Sequence, residues 1–308
     1  MKFGFFLPIS GRAASGALME AARRAEALGF ASVWAADRIV TPWEIRTPYP
    51  YSADQRFIVP PDAPFLEPLS CLAYLAGGTE KIALGMSVLV MPYRHPLYWA
   101  KIATTIDHLS RGRLILGVGV GWMVEEFDAL GVPFRERGAM ADEALELLGV
   151  IWEQDKPRFE GRFYRFPEVG FAPKPLQKPR IPIWVGGEGA RAQRRAGRYG
   201  DAWFPYFVRV TPRELAACFD NVRRAAAEAG RNSDELRLQC CLPIELTTEA
   251  VPQEPDRLVG DPAQVTAALK AFEAVGVEHV ALQFMVPSWP RRLAEIERFA
   301  GEVLPAFR

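Results

Sequence analysis

Apolar residues fall in short continuous runs at 3–7, 32–35, 82–90, 114–120, 183–185, 202–204, 236–244 and 279–284. A run without polar alternation reads as a strand covered on both faces, as in a parallel sheet with helices packed over it. Between the runs the pattern changes to a helical period. Leu18, Ala21, Ala22, Ala25 and Leu28 share one face, and Gly29 stands at the expected C-terminal stop. Further starts are marked by His95-Pro96, by Thr211-Pro212-Arg213-Glu214 and by Asp261-Pro262-Ala263-Gln264. The last two combine an N-cap, a proline at the first helical position and an acceptor three residues on. The second closes at Gly230 and the third at Gly276. Eight strand–helix alternations predict a (β/α)8 TIM barrel, α/β in class, with residues 1–308 as a single domain. A doubly wound open sheet is the alternative.

Two segments interrupt the rhythm, each with six prolines: 41–65 and 157–182. Long loops inside a compact domain commonly serve as lids or binding loops. The first follows the second strand, on the face where barrel enzymes place their chemistry, and is expected to be a lid carrying Trp43, Tyr49, Tyr51 and Phe57. The second precedes the fifth strand and takes a structural reading unless it folds over the rim.

Composition narrows the field. The 308 residues are 49% hydrophobic, with 37 basic against 37 acidic side chains. That balance argues against nucleic acid or a membrane surface as partner. No stretch approaches the ~20 apolar residues of a membrane helix. No secretory leader is evident, and Cys71, Cys218, Cys240 and Cys241 form no C-x-x-C pair. Free thiols and a cytoplasmic location are expected. His95, His108 and His279 are dispersed, without H-x-H or H-E-x-x-H spacing, so no metal site is predicted. No G-x-S-x-G elbow occurs.

The strand ends carry the candidate chemistry: Asp37 and Arg38, Ser87 onward, Gly119, Gly121 and Trp122, Gly186 to Glu188, Tyr206, Glu245 and Gln283. The run Gly117-Val118-Gly119-Val120-Gly121 matches G-x-G-x-x-G in neither frame. Its glycines either tighten barrel packing or clear space for a flat ligand. Gly186, Gly187, Glu188 and Gly189 end a strand and open a helix through Ala190 and Arg191, where free amides and the helix dipole attract an anion such as phosphate. Arg191, Arg194, Arg195 and Arg198 form a basic stripe on that helix, read mainly as a solvated face. A glycoside hydrolase would want carboxylates such as Glu125 or Glu126 with Glu245. Glu125 and Glu126 are instead expected to cap the short helix after Trp122.

The stretches FGFFLP, WAADRIVTP, the segment from 82 to 138 with LSRGR and LGVGVGW, and PIWVGGEGARAQRRAGRYGDAWFP resemble the luciferase-like monooxygenase superfamily, in its F420-dependent oxidoreductase branch. The resemblance implies an oxidoreductase using the deazaflavin F420 on a small organic substrate, or reduced FMN in a two-component monooxygenase fed by a separate reductase. It implies cofactor contacts at Ser87, Val88, Gly119, Gly121, Trp122, Gly186, Gly187, Glu188, Gly189, Ala190 and Arg191. It also implies a cis peptide at Ser87-Val88 and a homodimer. Some relatives carry Asp-His after the second strand; here Asp37 and Arg38 stand there as catalytic candidates, so a histidine base is missing. Arg38 could bind an anionic substrate or stabilise developing charge. Its structural alternative is a salt bridge to Asp37 or to a lid carboxylate. A carrier or sensor that binds flavin without turnover is a further reading.

Overall fold

The computed structural model describes residues 1–308 apart from 11–15, 53, 58, 207–210, 255 and 287. Among the described residues the strands are β1 (Lys2–Phe6), β2 (Ser32–Ala35), β3 (Ala83–Met86), β4 (Leu89–Val90), β5 (Leu114–Gly119), β6 (Phe159–Glu160), β7 (Arg165–Phe166), β8 (Ile183–Val185), β9 (Ala202–Trp203), β10 (Arg237–Leu246), β11 (Leu258–Gly260) and β12 (Val277–Phe284). Parallel pairing runs β10-β12-β1-β2-β3-β5-β8-β9, and β9 returns to β10 through Ala202↔Arg237 and Trp203↔Leu238. That last pair closes the cylinder and excludes the open doubly wound sheet.

All eight apolar runs became barrel staves. The third is broken: β3 pairs Leu84 with Leu114, whereas β4 pairs Leu89 with Val118. Five steps along one strand thus face four along the other, which defines a bulge. It contains Ser87-Val88, whose peptide bond is cis as expected. β11, which pairs with the end of β10, and the β6–β7 hairpin were not foreseen.

The helices are α1 (Leu18–Leu28), α2 (Pro68–Ala76), α3 (Pro96–Leu109), α4 (Val124–Ala129), α5 (Arg137–Glu153), α6 (Ala190–Tyr199), α7 (Pro212–Glu228), α8 (Pro262–Ala274) and α9 (Trp289–Arg298). Gly29 ends α1 in the left-handed conformation, φ 86°. Thr211 with Glu214 and Asp261 with Gln264 form both capping boxes. Their apolar faces pack on the sheet. Inside the barrel, Trp34, Trp184 and Phe204 form a plug with His279 at its edge. Gly4 and Gly85 make room for it: a Cβ at Gly85 would lie 2.2 Å from Trp34.

Segment 157–182 takes its structural role. Glu143 of α5 accepts from the Tyr164 N–H, Lys101 of α3 donates to the Ala172 carbonyl, and Asp107 accepts from the Leu176 and Gln177 amides. Gln177 Nε2 then reaches the Leu114 carbonyl at the start of β5, away from the C-terminal mouth. The segment sheathes α3 and α5 rather than covering the rim. All four cysteines are free, and Cys218 alone is not fully buried.

Candidate active site

The bulge places Ser87 and Val88, both half-buried, at the C-terminal mouth. The neighbouring glycines exist largely for it. A Cβ at Gly119 would sit 2.4 Å from Val88 Cγ2, and one at Gly186 would sit 2.9 Å from Val88 Cγ1. Gly117 clears the Met86 carbonyl, at 1.9 Å from such a Cβ. Packing therefore accounts for these glycines, and the surface they create is Val88 itself. Gly121 turns the chain at φ 76° under Val90 and Phe127. Ser87 Oγ lies 3.2 Å from Cys241 Sγ across the barrel.

Asp37 and Arg38 are both buried and both engaged, though not with each other. Asp37 accepts from both terminal nitrogens of Arg94, at 2.8 and 2.9 Å, and from the Val90 N–H at 2.9 Å. Two parallel N–H donors on one carboxylate make a directional pair. This pair ties β2 to the far side of the bulge. Arg38 bonds instead to the wholly buried Glu126 of α4, and its guanidinium lies 4.7 Å from the Phe57 ring centre and 5.5 Å from that of Trp122. The alternative of a bridge to Asp37 or to a lid carboxylate does not form: Arg94 holds Asp37, and Arg38 pairs with Glu126 of α4. Arg38 Nε is buried without a hydrogen-bond partner.

Glu125 and Glu126 are not helix caps: Met123 occupies that position and makes no side-chain bond. They fasten the lid. Glu126 accepts from the Ile39 and Val40 amides and from Tyr93 Oη. Glu125 accepts from the Arg46 and Thr47 amides, at 2.7 and 3.0 Å, and from Thr47 Oγ1 at 2.8 Å. Arg94, Tyr93 and this latch were missed from the sequence. Only the position of Arg94 just past the third run, within reach of a strand-end carboxylate, hinted at its role.

So fastened, the lid folds its aromatics into the mouth. Tyr49 meets Tyr51, Phe57 and Trp122 with ring centres 5.5, 5.4 and 5.0 Å apart. Tyr51 reaches Tyr206 at 5.1 Å. Burial pushes the Tyr49 phenol up to about 12, against the opposing pull of Arg38, and raises Tyr51 and Tyr206 as well. Trp43, placed with the lid aromatics by sequence, is 80% exposed and takes no part. Glu245, the other half of a glycosidase pair, lies 3.4 Å from Arg257.

At the end of β8 the chain turns through Gly187, φ 100°, into α6. The N-cap Gly189 offers no side-chain bond, and a Cβ built there would meet nothing within 4 Å. Neither packing nor dihedral angle requires glycine at 189. An open, uncapped helix start leaves the Ala190 and Arg191 amides without intrahelical partners, an arrangement whose dipole favours an anion. Glu188 lies at the same corner, its Oε1 accepting from the Tyr206 N–H at 2.9 Å. Arg191 and Arg194 are exposed, whereas Arg195 is buried on Asp142 at 2.6 Å and Arg198 pairs with Glu146 at 3.3 Å. The predicted stripe is thus divided, and with Arg231 it lines a cavity of about 870 Å³ on the outer face.

A closed parallel barrel with its mouth covered by an aromatic lid and flanked by an uncapped helix defines a barrel enzyme. The chain belongs to the luciferase-like monooxygenase family, which it matches over residues 1–254, and it is an oxidoreductase of that family. It is 30% identical over 276 residues to a phthiodiolone/phenolphthiodiolone dimycocerosates ketoreductase of Mycobacterium bovis, covering 88% of this chain and 68% of that protein. In fold it resembles an F420-dependent secondary alcohol dehydrogenase solved with an F420–acetone adduct, with a TM-score of 0.81, 20% identity, and 100% and 99% of the two chains covered. It also resembles the oxygenating constituent of 3,6-diketocamphane monooxygenase of Pseudomonas putida, solved with FMN, with a TM-score of 0.76, 17% identity, and 99% and 98% covered. Among the described residues no helix is long and apolar enough to cross a membrane.

Proposed function

We propose that this chain is an F420-dependent oxidoreductase interconverting a carbonyl group and an alcohol on a small organic substrate. The observation that carries the proposal is the corner from Gly186 to Gly189, which abuts Val88 of the bulge at Gly186 and opens an uncapped helix at Gly189. There the Gly189, Ala190 and Arg191 amides suit a cofactor phosphate, while Val88 gives a planar ring an apolar support. When bound, the deazaflavin supplies or accepts hydride at its C5. The remaining work falls to the chain. Tyr49, Tyr51, Phe57 and Trp122 form an apolar cover that excludes water, and α4 holds that cover down. Arg38 sets its guanidinium over the Phe57 and Trp122 rings, and Asp37 holds the bulge in place through Val90 and Arg94. The M. bovis ketoreductase supports the carbonyl–alcohol pair, and the alcohol dehydrogenase fold supports the deazaflavin.

A second reading, an FMNH2-dependent monooxygenase supplied by a separate reductase, is supported by the fold of the FMN-bound P. putida protein. Titration with F420 and with FMN, followed by tryptophan fluorescence in wild type and Trp122→Phe, decides between them. Micromolar F420 binding with quenching that Trp122→Phe reduces is the expected result, together with ketone-dependent oxidation of F420H2. Binding of FMN alone transfers the assignment to the second reading, and binding of neither removes both.

A further inference from the structure

Most carboxylates at the C-terminal end of the barrel are locked, Glu245 by Arg257 among them. Asp37 is held by Arg94, Glu126 by Arg38, Tyr93 and two amides, and Glu125 by the lid backbone. Glu188 is different. Among the described residues it has no cationic partner, and its carboxyl accepts from the Tyr206 N–H and from its own N–H. The groups facing it are Tyr51 from the lid, Cys241 from β10 and Tyr206 after β9. All three are weak acids that burial raises further, so they are neutral in the working range and supply no compensating positive charge. Desolvation pushes Glu188 up to about 7, outweighing the lowering effect of the Tyr206 amide and its own N–H. The residue as a whole is half-buried, at the rim of the mouth.

Resting on the carbonyl-reducing reading above, we propose that Glu188 is the proton donor of the mouth and not a cofactor ligand. The bound reduced cofactor would supply hydride, its own C–H bond breaking as the new C–H bond forms at the carbonyl carbon, and the C=O π pair would move to oxygen. The Glu188 O–H bond breaks as its proton forms the O–H of the alcohol. The carboxylate left behind is reprotonated from water through the mouth. In the oxidative direction the same carboxylate accepts the alcohol proton. A carboxyl that titrates near neutral pH is matched to donation in one direction and acceptance in the other.

The test compares wild type with Glu188→Gln, whose folding is checked by circular dichroism. In the cofactor-free proteins, infrared titration should show a carboxyl band that converts near neutral pH in wild type and is missing from the variant. With cofactor and a ketone, kcat should fall about 10²-fold or more. Reduction by wild type should decline as Glu188 deprotonates on the alkaline side, and this limb should vanish in the variant. Cofactor Kd should stay within about threefold. A band titrating in the ordinary carboxylate range overturns the proposal, as does a variant with wild-type turnover and pH profile. So does a loss of turnover matched by a loss of cofactor binding. A wild-type protein that reduces no carbonyl with either cofactor overturns the functional reading and the proposal with it. Misfolding of the variant leaves the wild-type titration and alkaline limb to decide.

Discussion

A glycine can be required by its neighbours or left open for a ligand, and this mouth contains both kinds. Gly119 has a neighbour: its missing Cβ is the space that Val88 Cγ2 fills. Gly119→Ala should therefore force the bulge to shift and cost about 1–3 kcal/mol, measured by urea denaturation. Gly189 has no such neighbour. Gly189→Ala should leave the urea midpoint nearly unchanged and weaken cofactor binding about tenfold by crowding the helix amides. Equal destabilisation by the two substitutions, with unaltered binding in Gly189→Ala, would show that the corner at 189 is no cradle. Glu188 lies one residue away, where desolvation raises its carboxyl.

Short helix α4 illustrates how an element acquires a role through what approaches it. With six residues it is too short to be stable alone, yet Glu126 fastens positions 39 and 40, at the root of the lid, and Glu125 fastens lid positions 46 and 47 to it. Glu125 is half-buried: desolvation is the largest single effect and raises its pKa, but its own N–H, the Thr47 hydroxyl and the Arg46 and Thr47 amides together outweigh it and leave the carboxyl lowered. A depressed carboxylate stabilises the lid above its unfolded pKa and loses that effect as pH falls through the folded value. The latch should hold at neutral pH and slacken only in acid. Glu125→Gln should speed limited proteolysis within 41–65 at neutral pH while shifting Tm by no more than about 2 °C. A variant cleaved at the wild-type rate would remove Glu125 from the latch.

For the whole molecule, closure of the barrel buries polar groups that an open sheet could leave wet. His279 is held 2.7 Å from Ser32 Oγ, which also accepts from the Trp34 indole at 2.7 Å. Burial, with smaller contributions from Lys2 and the N-terminal ammonium, lowers the His279 pKa to about 3. The unfolded chain binds this proton near pH 6.5 and the folded chain only near 3. Stability should therefore fall as pH drops between those values and be unaffected by this group above them. His279→Gln, which keeps a polar partner for Ser32 without that titration, should flatten the acid side of a Tm-against-pH curve. An unchanged slope would assign acid sensitivity to other groups.

The linear chain determined the staves, the bounds of α1, α3, α7 and α8, and the outward role of 157–182, because buried parallel strands and capped helices leave local patterns. The uncapped start of α6 was legible for the same reason: it is a feature of consecutive residues. Which groups meet across the mouth was decided only by closure. Arg38 finds Glu126, Asp37 finds Arg94, and the glycines of β5 and β8 receive Val88, pairings separated by up to 98 positions between Val88 and Gly186. Distance along the chain says nothing of distance across a cylinder. Which charge a buried arginine takes is settled by the nearest unpaired carboxylate in three dimensions, since leaving either ion alone in a low-dielectric interior costs more than moving a side chain.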